Sequence, residues 1–161
     1  MSYLYFRLAV CFCYTIYYEE RRIRMGDQVA DVVITKDSKV LLVQQRKEAA
    51  HGLWSYPGGG VEDGETLEDT IVREVSEELG SKLVNYKLYK KYVITTQIGK
   101  LTINTFVGEL DGEIRLKEDE LITHGWFGLQ QIEEMKDELR SAIVLEQAKD
   151  VLTNKADSLP N

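Results

Sequence analysis

Glu74, Glu77 and Glu78 stand at i, i+3 and i+4 of one helical stretch, a few residues behind Glu62, Asp63 and Glu65. Carboxylates at that spacing share a helix face and repel, at roughly 0.2–0.5 kcal/mol per like pair. Glu77 and Glu78 also fall in the last turn, where the helix dipole favours Lys or Arg. Folding alone gains nothing from this arrangement, so the cluster calls for a positive partner. Clustered carboxylates with no matching basic run suit hard divalent cations, and Mg²⁺ in particular keeps waters and substrate phosphates among its ligands. The residue types therefore point to a bound divalent cation, Mg²⁺ or Mn²⁺.

Such a cluster needs a rigid carrier. The spacing predicts a helix from Thr66 to about Leu79, with Thr66 as N-cap, Asp69 completing a capping-box variant and Gly80 as the left-handed residue past the end. Leu67, Ile71, Val75 and Leu79 recur every four positions and form the stripe that binds the helix to a sheet, with the glutamates along its border. The loop in front, Tyr56 to Glu65, carries four glycines in ten residues, which lets its backbone approach a ligand or the helix closely. Leu53 to Tyr56 is the short strand that delivers it.

These residues resemble the Nudix family, whose signature is a glycine, five residues, a glutamate, seven residues, then Arg-Glu-hydrophobic-any-Glu-Glu-any-Gly and a hydrophobic residue. Gly59, Glu65, Arg73, Glu74, Val75, Glu77, Glu78 and Gly80 fit in register. Ser81 departs from it, standing where the family has an aliphatic residue, and Leu83 is placed to supply that contact. The match covers residues 59–81, and the preceding Gly52 to Gly59 is similar to the family's approach strand. The resemblance implies an α/β fold, an α/β/α sandwich with a mixed β-sheet. It implies that the Gly59 carbonyl, Glu74, Glu77 and Glu78 hold the metal, while Glu65 and Arg73 brace the loop and position the catalytic glutamate. For the general base it offers Glu74, or else Glu120, which lies six residues before Trp126 and competes with Glu118 and Asp119. Arg46, where relatives often carry Arg, is implied to reach a terminal phosphate with its planar fork, a surface salt bridge being the plainer alternative.

The remaining strands are read from β-rich runs between turn signals. Val29 to Thr35 and Val40 to Gln45 form a hairpin, Leu83 to Ile98 and Leu101 to Leu110 follow the helix, and Trp126-Phe127 begins a last short strand. Gln130 to Met135 and Glu138 to Leu152 have helical spacing, the second with Ile143, Leu145, Ala148 and Leu152 as its packing face. Trp54, Tyr56, Phe106, Trp126 and Phe127 are aromatic candidates for base stacking, although aromatics near strands usually serve the core. His51 and His124 read as exposed loop residues rather than ligands.

The chain has 161 residues, 43% hydrophobic and 29% charged, which suits one globular domain with a full core. A net charge of −7 and a pI near 5.0 argue against a nucleic-acid polymer as partner, since phosphate backbones are bound through dense Lys and Arg. A small nucleotide can still be held where a metal and a few basic groups neutralise its phosphates. Residues 1–24 read as an appendage, 25–153 as the Nudix domain and 154–161 as a tail. The appendage holds five of the nine tyrosines, both cysteines and the run Glu19-Glu20-Arg21-Arg22-Ile23-Arg24. Its apolar stretch, Leu8 to Tyr18, has 11 residues against the roughly 20 a spanning helix needs. It lacks a signal-peptide cleavage pattern, and Met25 is an alternative start. Membrane association is therefore not expected. Cys11 and Cys13 sit too close together for a mutual disulfide and have no second pair for zinc. The cysteine-free remainder is consistent with the cytoplasm, and the oligomeric state, monomer or homodimer, is open.

The resemblance implies hydrolysis of a diphosphate linkage in a nucleoside diphosphate joined to a further group. A proline about 15 residues beyond the signature, found in relatives acting on ADP-ribose, is missing, since the prolines are at 57 and 160. Elements associated with NADH and coenzyme A are also lacking. Nucleoside triphosphates, oxidised ones included, then lead as substrates, cleaved to monophosphate and pyrophosphate. ADP-ribose or nucleotide-sugar cleavage is the alternative, as is a catalytically idle nucleotide sensor, which would predict a broken glutamate set. A third expectation from another class, a membrane-associated protein organised by residues 1–24, would be separated by expression from Met25.

Overall fold

Apolar residues on both faces of two adjoining strands dictate a sheet covered on both sides. In the computed structural model, which describes residues 28–96 and 99–153, β1 (Gln28–Lys36) turns Ala30, Val32 and Ile34 toward one core and Val33 toward the other. β2 (Lys39–Gln45) divides Leu41 and Val43 from Val40 and Leu42 in the same way. This is the period-two alternation of a strand buried on both faces. The appendage, residues 1–24 with Cys11 and Cys13, and the tail, 154–161, lie outside the described residues.

The turn between β1 and β2 places Asp37 at φ 50° and Ser38 at φ 60°, the conformation of tight two-residue hairpins. Direct pairing ends after Thr35 and Val40, and the strands then part. Beyond that point β4 (Gly58–Gly60) pairs antiparallel with Val29, Ala30 and Asp31, while β3 (Trp54–Ser55) and β7 (Leu121–Phe127) pair with β2. On its other edge β1 runs parallel to β6 (Gly99–Asp111), which pairs antiparallel with the outer strand β5 (Lys82–Thr96). The sheet is therefore mixed. Its parting seats the glycine loop against β1 instead of leaving it in solvent.

Helix α1 (Leu67–Leu79) covers one face, with Ile71, Val75 and Leu79 fully buried and Leu67 packed at the rim of the same core. Burial of such a side chain contributes roughly 1.5–3 kcal/mol. Both halves of the capping box are formed by Thr66 and Asp69, and Gly80 ends the helix at φ 58°. Leu83 joins the core of Leu79, whereas the Ser81 hydroxyl donates to the Glu113 carbonyl at 2.6 Å, so the departure at Ser81 is absorbed locally. Helices α2 (Leu129–Glu134) and α3 (Ala142–Thr153) cover the other face and complete the α/β/α sandwich. Among the described residues no helix is long and apolar enough to cross a membrane.

Three expectations are corrected. Trp126 and Phe127 end β7 rather than begin it, because Leu121 to Phe127 pair with β2 along its whole length. The last helix starts at Ala142, not Glu138: the Arg140 N–H is drawn to the Trp54 carbonyl at 2.9 Å and Leu139 bridges to Trp54, which keeps this segment extended. The buried stripe of α3 is Val144, Gln147, Ala148 and Val151, while Leu145 and Leu152 lie at its margin and Ile143 packs toward Tyr92, Leu101 and Ile103. A polar residue at the centre of that stripe hid its register. The aromatics serve the core: Phe106 and Tyr56 are buried, and Trp54 meets Phe127 edge to face at 4.9 Å.

Candidate active site

The capping box sets where the chain enters α1, and with it the place of Glu65. The Glu65 carboxylate accepts from the Glu62 N–H and the Thr70 hydroxyl, and takes both prongs of Arg73 at 2.6 and 2.9 Å. The Arg73 guanidinium, donating to it, holds the Glu65 carboxyl down at about 2. The same guanidinium donates to Glu74 Oε1 at 2.8 Å and to the Gly60 carbonyl at 3.3 Å. One planar group thus ties the glycine loop, its last glutamate and the next residue on the helix together, a task that suits the rigid fork of Arg.

The three helical glutamates do not share one environment. Glu74 and Glu78 are 3% and 5% exposed, but the Glu77 side chain is 48% exposed and only 3.7 Å from Arg73. Glu74 lies hard against Gly59, where a Cβ would come within 2.0 Å of its Oε1. Glu78 Oε2 accepts the Gly58 N–H at 3.1 Å. Gly58 has φ 151°, and a Cβ there would strike the Ala30 carbonyl at 2.3 Å, so only glycine brings this backbone between β1 and the carboxylates. Burial, reinforced by the charges of Glu74 and Glu120, pushes the Glu78 carboxyl up to about 8 against the pull of the Gly58 N–H and Lys47.

Glu120 lies at the rim of this group, its charge felt at Glu78. Lys117 donates to its Oε1 at 2.6 Å and Lys47 to its Oε2. Burial works against ionisation, and the two ammoniums outweigh it, holding the carboxyl down at about 2. Glu118 and Asp119 are exposed, and the Arg46 Nε donates to the Leu121 carbonyl at 3.4 Å, so Lys47 rather than Arg46 stands beside Glu120. His51 is exposed, whereas His124 is no loop residue: it lies half-buried within β7, paired with Val43 of β2.

Two buried carboxylates, one driven toward its neutral form, make a donor set that a divalent cation would relieve, and all the oxygens are of the hard kind Mg²⁺ and Mn²⁺ take. The residues fit such an ion by chemistry. Among the described residues, however, no three acidic, His or Cys side chains converge on one point. Glu74 is held by Arg73, Glu78 by Gly58, and Glu77 faces outward.

A narrow cleft opens beside this group, from Gly58 and Gly59 along β1 and β6 to α3. In it Gln147 Nε2 donates to Asp31 Oδ2 at 2.6 Å and to the Thr105 hydroxyl at 2.7 Å, while Oδ1 of Asp31 is sealed from solvent without a donor among the described residues. Burial pushes the Asp31 carboxyl up to about 6, although Gln147 and Thr105 pull it down. Lys47, Lys117 and Asp31 were not singled out in the sequence. A lone acid inside the apolar run from Val29 to Ile34 was the available signal for Asp31, while the lysines had none.

A sequence model of the NUDIX domain matches residues 26–148. Among curated relatives, the putative nudix hydrolase 1 of Caenorhabditis elegans is 28% identical over 152 residues, 87% of this chain and 41% of that protein. An ADP-ribose pyrophosphatase of Methanocaldococcus jannaschii is 46% identical over 50 residues, 31% of this chain and 30% of that one. An NAD-capped RNA hydrolase NudC of Erwinia tasmaniensis is 34% identical over 100 residues, 60% and 36%. The chain spans less than half the length of these relatives. Among solved structures, a NUDIX hydrolase from Nitrosomonas europaea superposes with TM-score 0.69 at 24% identity, covering 83% of this chain and 92% of that one. The MutT NUDIX hydrolase from Burkholderia pseudomallei gives 0.63 at 25%, covering 75% and 96%.

Proposed function

The chain belongs to the Nudix family, and from that premise we propose that it is a Mg²⁺-dependent pyrophosphohydrolase of nucleoside triphosphates, oxidised ones included, yielding monophosphate and pyrophosphate. The observation that carries this reading is the pair of buried carboxylates, Glu74 and Glu78, packed against Gly59 and Gly58 and bordered by Lys47 and Lys117. It supplies both a place for a cation and cations of its own for phosphates. Glu74, Glu77, Glu78 and the Gly59 carbonyl would hold the ion, with Mn²⁺ able to replace Mg²⁺. When bound, the ion would polarise phosphate oxygens and make a coordinated water acidic. Glu74, held in place by Arg73, would be the residue to receive that water's proton, with Glu120 as the alternative. Arg46 remains the reserve contact for a terminal phosphate, its side chain being exposed.

Glu65 and Arg73 position Glu74 without touching the substrate. Replacing Arg73 by Lys keeps the charge and loses the fork, and turnover is expected to drop roughly ten- to hundredfold, the usual range for a group that orients a ligand residue. Steady-state kinetics check it, and an unchanged rate would show that the brace is dispensable.

The nucleoside end is assigned to the cleft beside Gly59, lined by β1, β6 and α3. Cleavage of ADP-ribose or a nucleotide sugar is the second reading, favoured by the similarity to an ADP-ribose pyrophosphatase. A catalytically idle sensor is disfavoured because the full glutamate set is present. A panel of nucleoside triphosphates, ADP-ribose, dinucleoside polyphosphates and nucleotide sugars, assayed with Mg²⁺, separates these. Pyrophosphate release from a triphosphate is expected, with Glu77→Gln at least about tenfold slower. No cleavage by the intact chain, or full rate in Glu77→Gln, would overturn the hydrolase reading.

A further inference from the structure

The segment carrying Lys117 and Glu120 is pinned to the end of α1 and to the end of β2. The Arg115 N–H donates to the Leu79 carbonyl at 2.7 Å, Lys117 N–H to the Glu78 carbonyl at 3.1 Å, and Arg46 N–H to the Glu120 carbonyl at 2.9 Å. These bonds place Lys47, Lys117 and Glu120 next to Glu78 by backbone geometry, before any side chain chooses a partner. The two ammoniums then converge on one carboxylate, one on each oxygen. Each ammonium has three N–H donors and gives one to Glu120. Lys47 and Lys117 are 27% and 37% exposed, so both can reach an anion arriving from solvent. One carboxylate against two ammoniums leaves a local positive excess beside an otherwise acidic group.

We propose that Glu120 is a placeholder for the substrate's terminal phosphate: it holds Lys47 and Lys117 in the free protein and yields both to that phosphate on binding, its carboxylate then turning toward Glu74 and Glu78. This rests on the hydrolase reading above. The exchange is one of ion-pair partners, with no bond made or broken. A terminal phosphate presents more charge and more acceptor oxygens than a carboxylate, and so takes the two lysines in preference. The released carboxylate adds a fourth acid to the group that would hold the ion. Phosphate binding and cation binding are thereby coupled through Glu120.

The coupling is read first without substrate, by titrating Mn²⁺ alone into the full chain and following free Mn²⁺ by electron paramagnetic resonance. Lys47→Met/Lys117→Met frees Glu120 and is expected to bind Mn²⁺ roughly fivefold tighter or more, at the low end of coupling between linked sites. Adding Glu120→Gln to that variant is expected to abolish the gain. Unchanged or weaker Mn²⁺ binding in the lysine variant overturns the proposal, as does a gain that survives Glu120→Gln. Circular dichroism melts confirm that each variant is folded, and Lys47→Arg/Lys117→Arg, which keeps both positive charges beside Glu120, is expected to keep wild-type Mn²⁺ affinity. In the second arm, each single lysine variant is expected to raise KM for the cleaved triphosphate more than it lowers kcat. Equal loss in kcat and kcat/KM, with KM unchanged, would mean that the lysines do not hold the phosphate of the bound substrate, and overturns the proposal. Failure of the hydrolase reading shows separately, as wild-type protein that cleaves nothing.

Discussion

Gly59→Ala is expected to fold and to lose about a hundredfold or more in turnover. The Gly59 backbone has no left-handed φ, so alanine meets no conformational strain there, and the effect is steric. Its Cβ would lie 2.0 Å from Oε1 and 2.5 Å from Cδ of Glu74. Ordinary contact requires the carboxylate to retreat by roughly 1.5 Å. The atom struck is the end of a side chain, so overpacking costs about 1–3 kcal/mol rather than the fold. The carboxylate is nevertheless buried and tied to Arg73 at 2.8 Å, and cannot move without leaving the position from which it would hold an ion and accept a proton. A misplacement of about 1 Å in such a group costs on the order of 10²-fold. Kinetics and thermal melts together check this. Shortening the side chain in Gly59→Ala/Glu74→Asp should recover stability without recovering turnover, a coupling expected only of residues in contact. If Gly59→Ala lowers the melting temperature and keeps its rate, the glycine serves packing alone.

How far this arrangement can be read before folding depends on the range of the interactions involved. Helix α1 is written in local signals: Thr66 and Asp69 at its start, Gly80 at its end and an apolar residue at every fourth position between. The spacing from Gly59 to Gly80 likewise survives intact, because a loop and the helix after it keep their sequence order in space. The separation of Glu77 from Glu74 and Glu78 is different. A helical register of i, i+3 and i+4 puts three carboxylates on one face, but which of them is buried depends on how β4 lies along α1, and that follows from the parting of β1 and β2. The start of α3 fails for the same reason, since Arg140 is held extended by Trp54, 86 residues earlier in the chain. Lys47 and Glu120, 73 residues apart, meet only because both flank the end of β2. Gln147, a polar residue in a buried stripe, makes sense only with Asp31 and Thr105 opposite it, a pairing no local signal announces.

Asp31→Asn is expected to stabilise the protein by about 1–3 kcal/mol at pH 8 and by almost nothing at pH 4. The Asp31 carboxyl is raised from 3.8 to about 6 in the folded state, burial being the main cause and the hydrogen bonds of Gln147 and Thr105 opposing it. A raised pKa in the folded state means that the folded state binds the proton more tightly than the unfolded one, so stability is highest below pH 4 and falls as pH rises toward 6. Above 6 the ionised carboxylate carries its full cost, about 3 kcal/mol at 1.36 kcal/mol per unit. Asparagine removes that charge and keeps an oxygen for Gln147, but its amide brings N–H donors into a place where Oδ1 has no partner, which reduces the gain. The titratable or charged neighbours in the same cleft are Tyr56 and Arg140. The Tyr56 hydroxyl is held well above its usual range, chiefly by burial and then by Asp31, so it stays neutral across this window and cannot imitate the transition. Urea titrations of wild type and Asp31→Asn at pH 4, 6 and 8 isolate it, because carboxylates elsewhere, including Glu65 with its opposite shift, cancel in the difference. A stability difference that is the same at all three values would mean that Asp31 is ionised without penalty. A difference that grows through pH 5–6 would show a carboxylate retained at the mouth of the glycine loop despite a standing cost to folding, which is the mark of a residue kept for what enters the cleft.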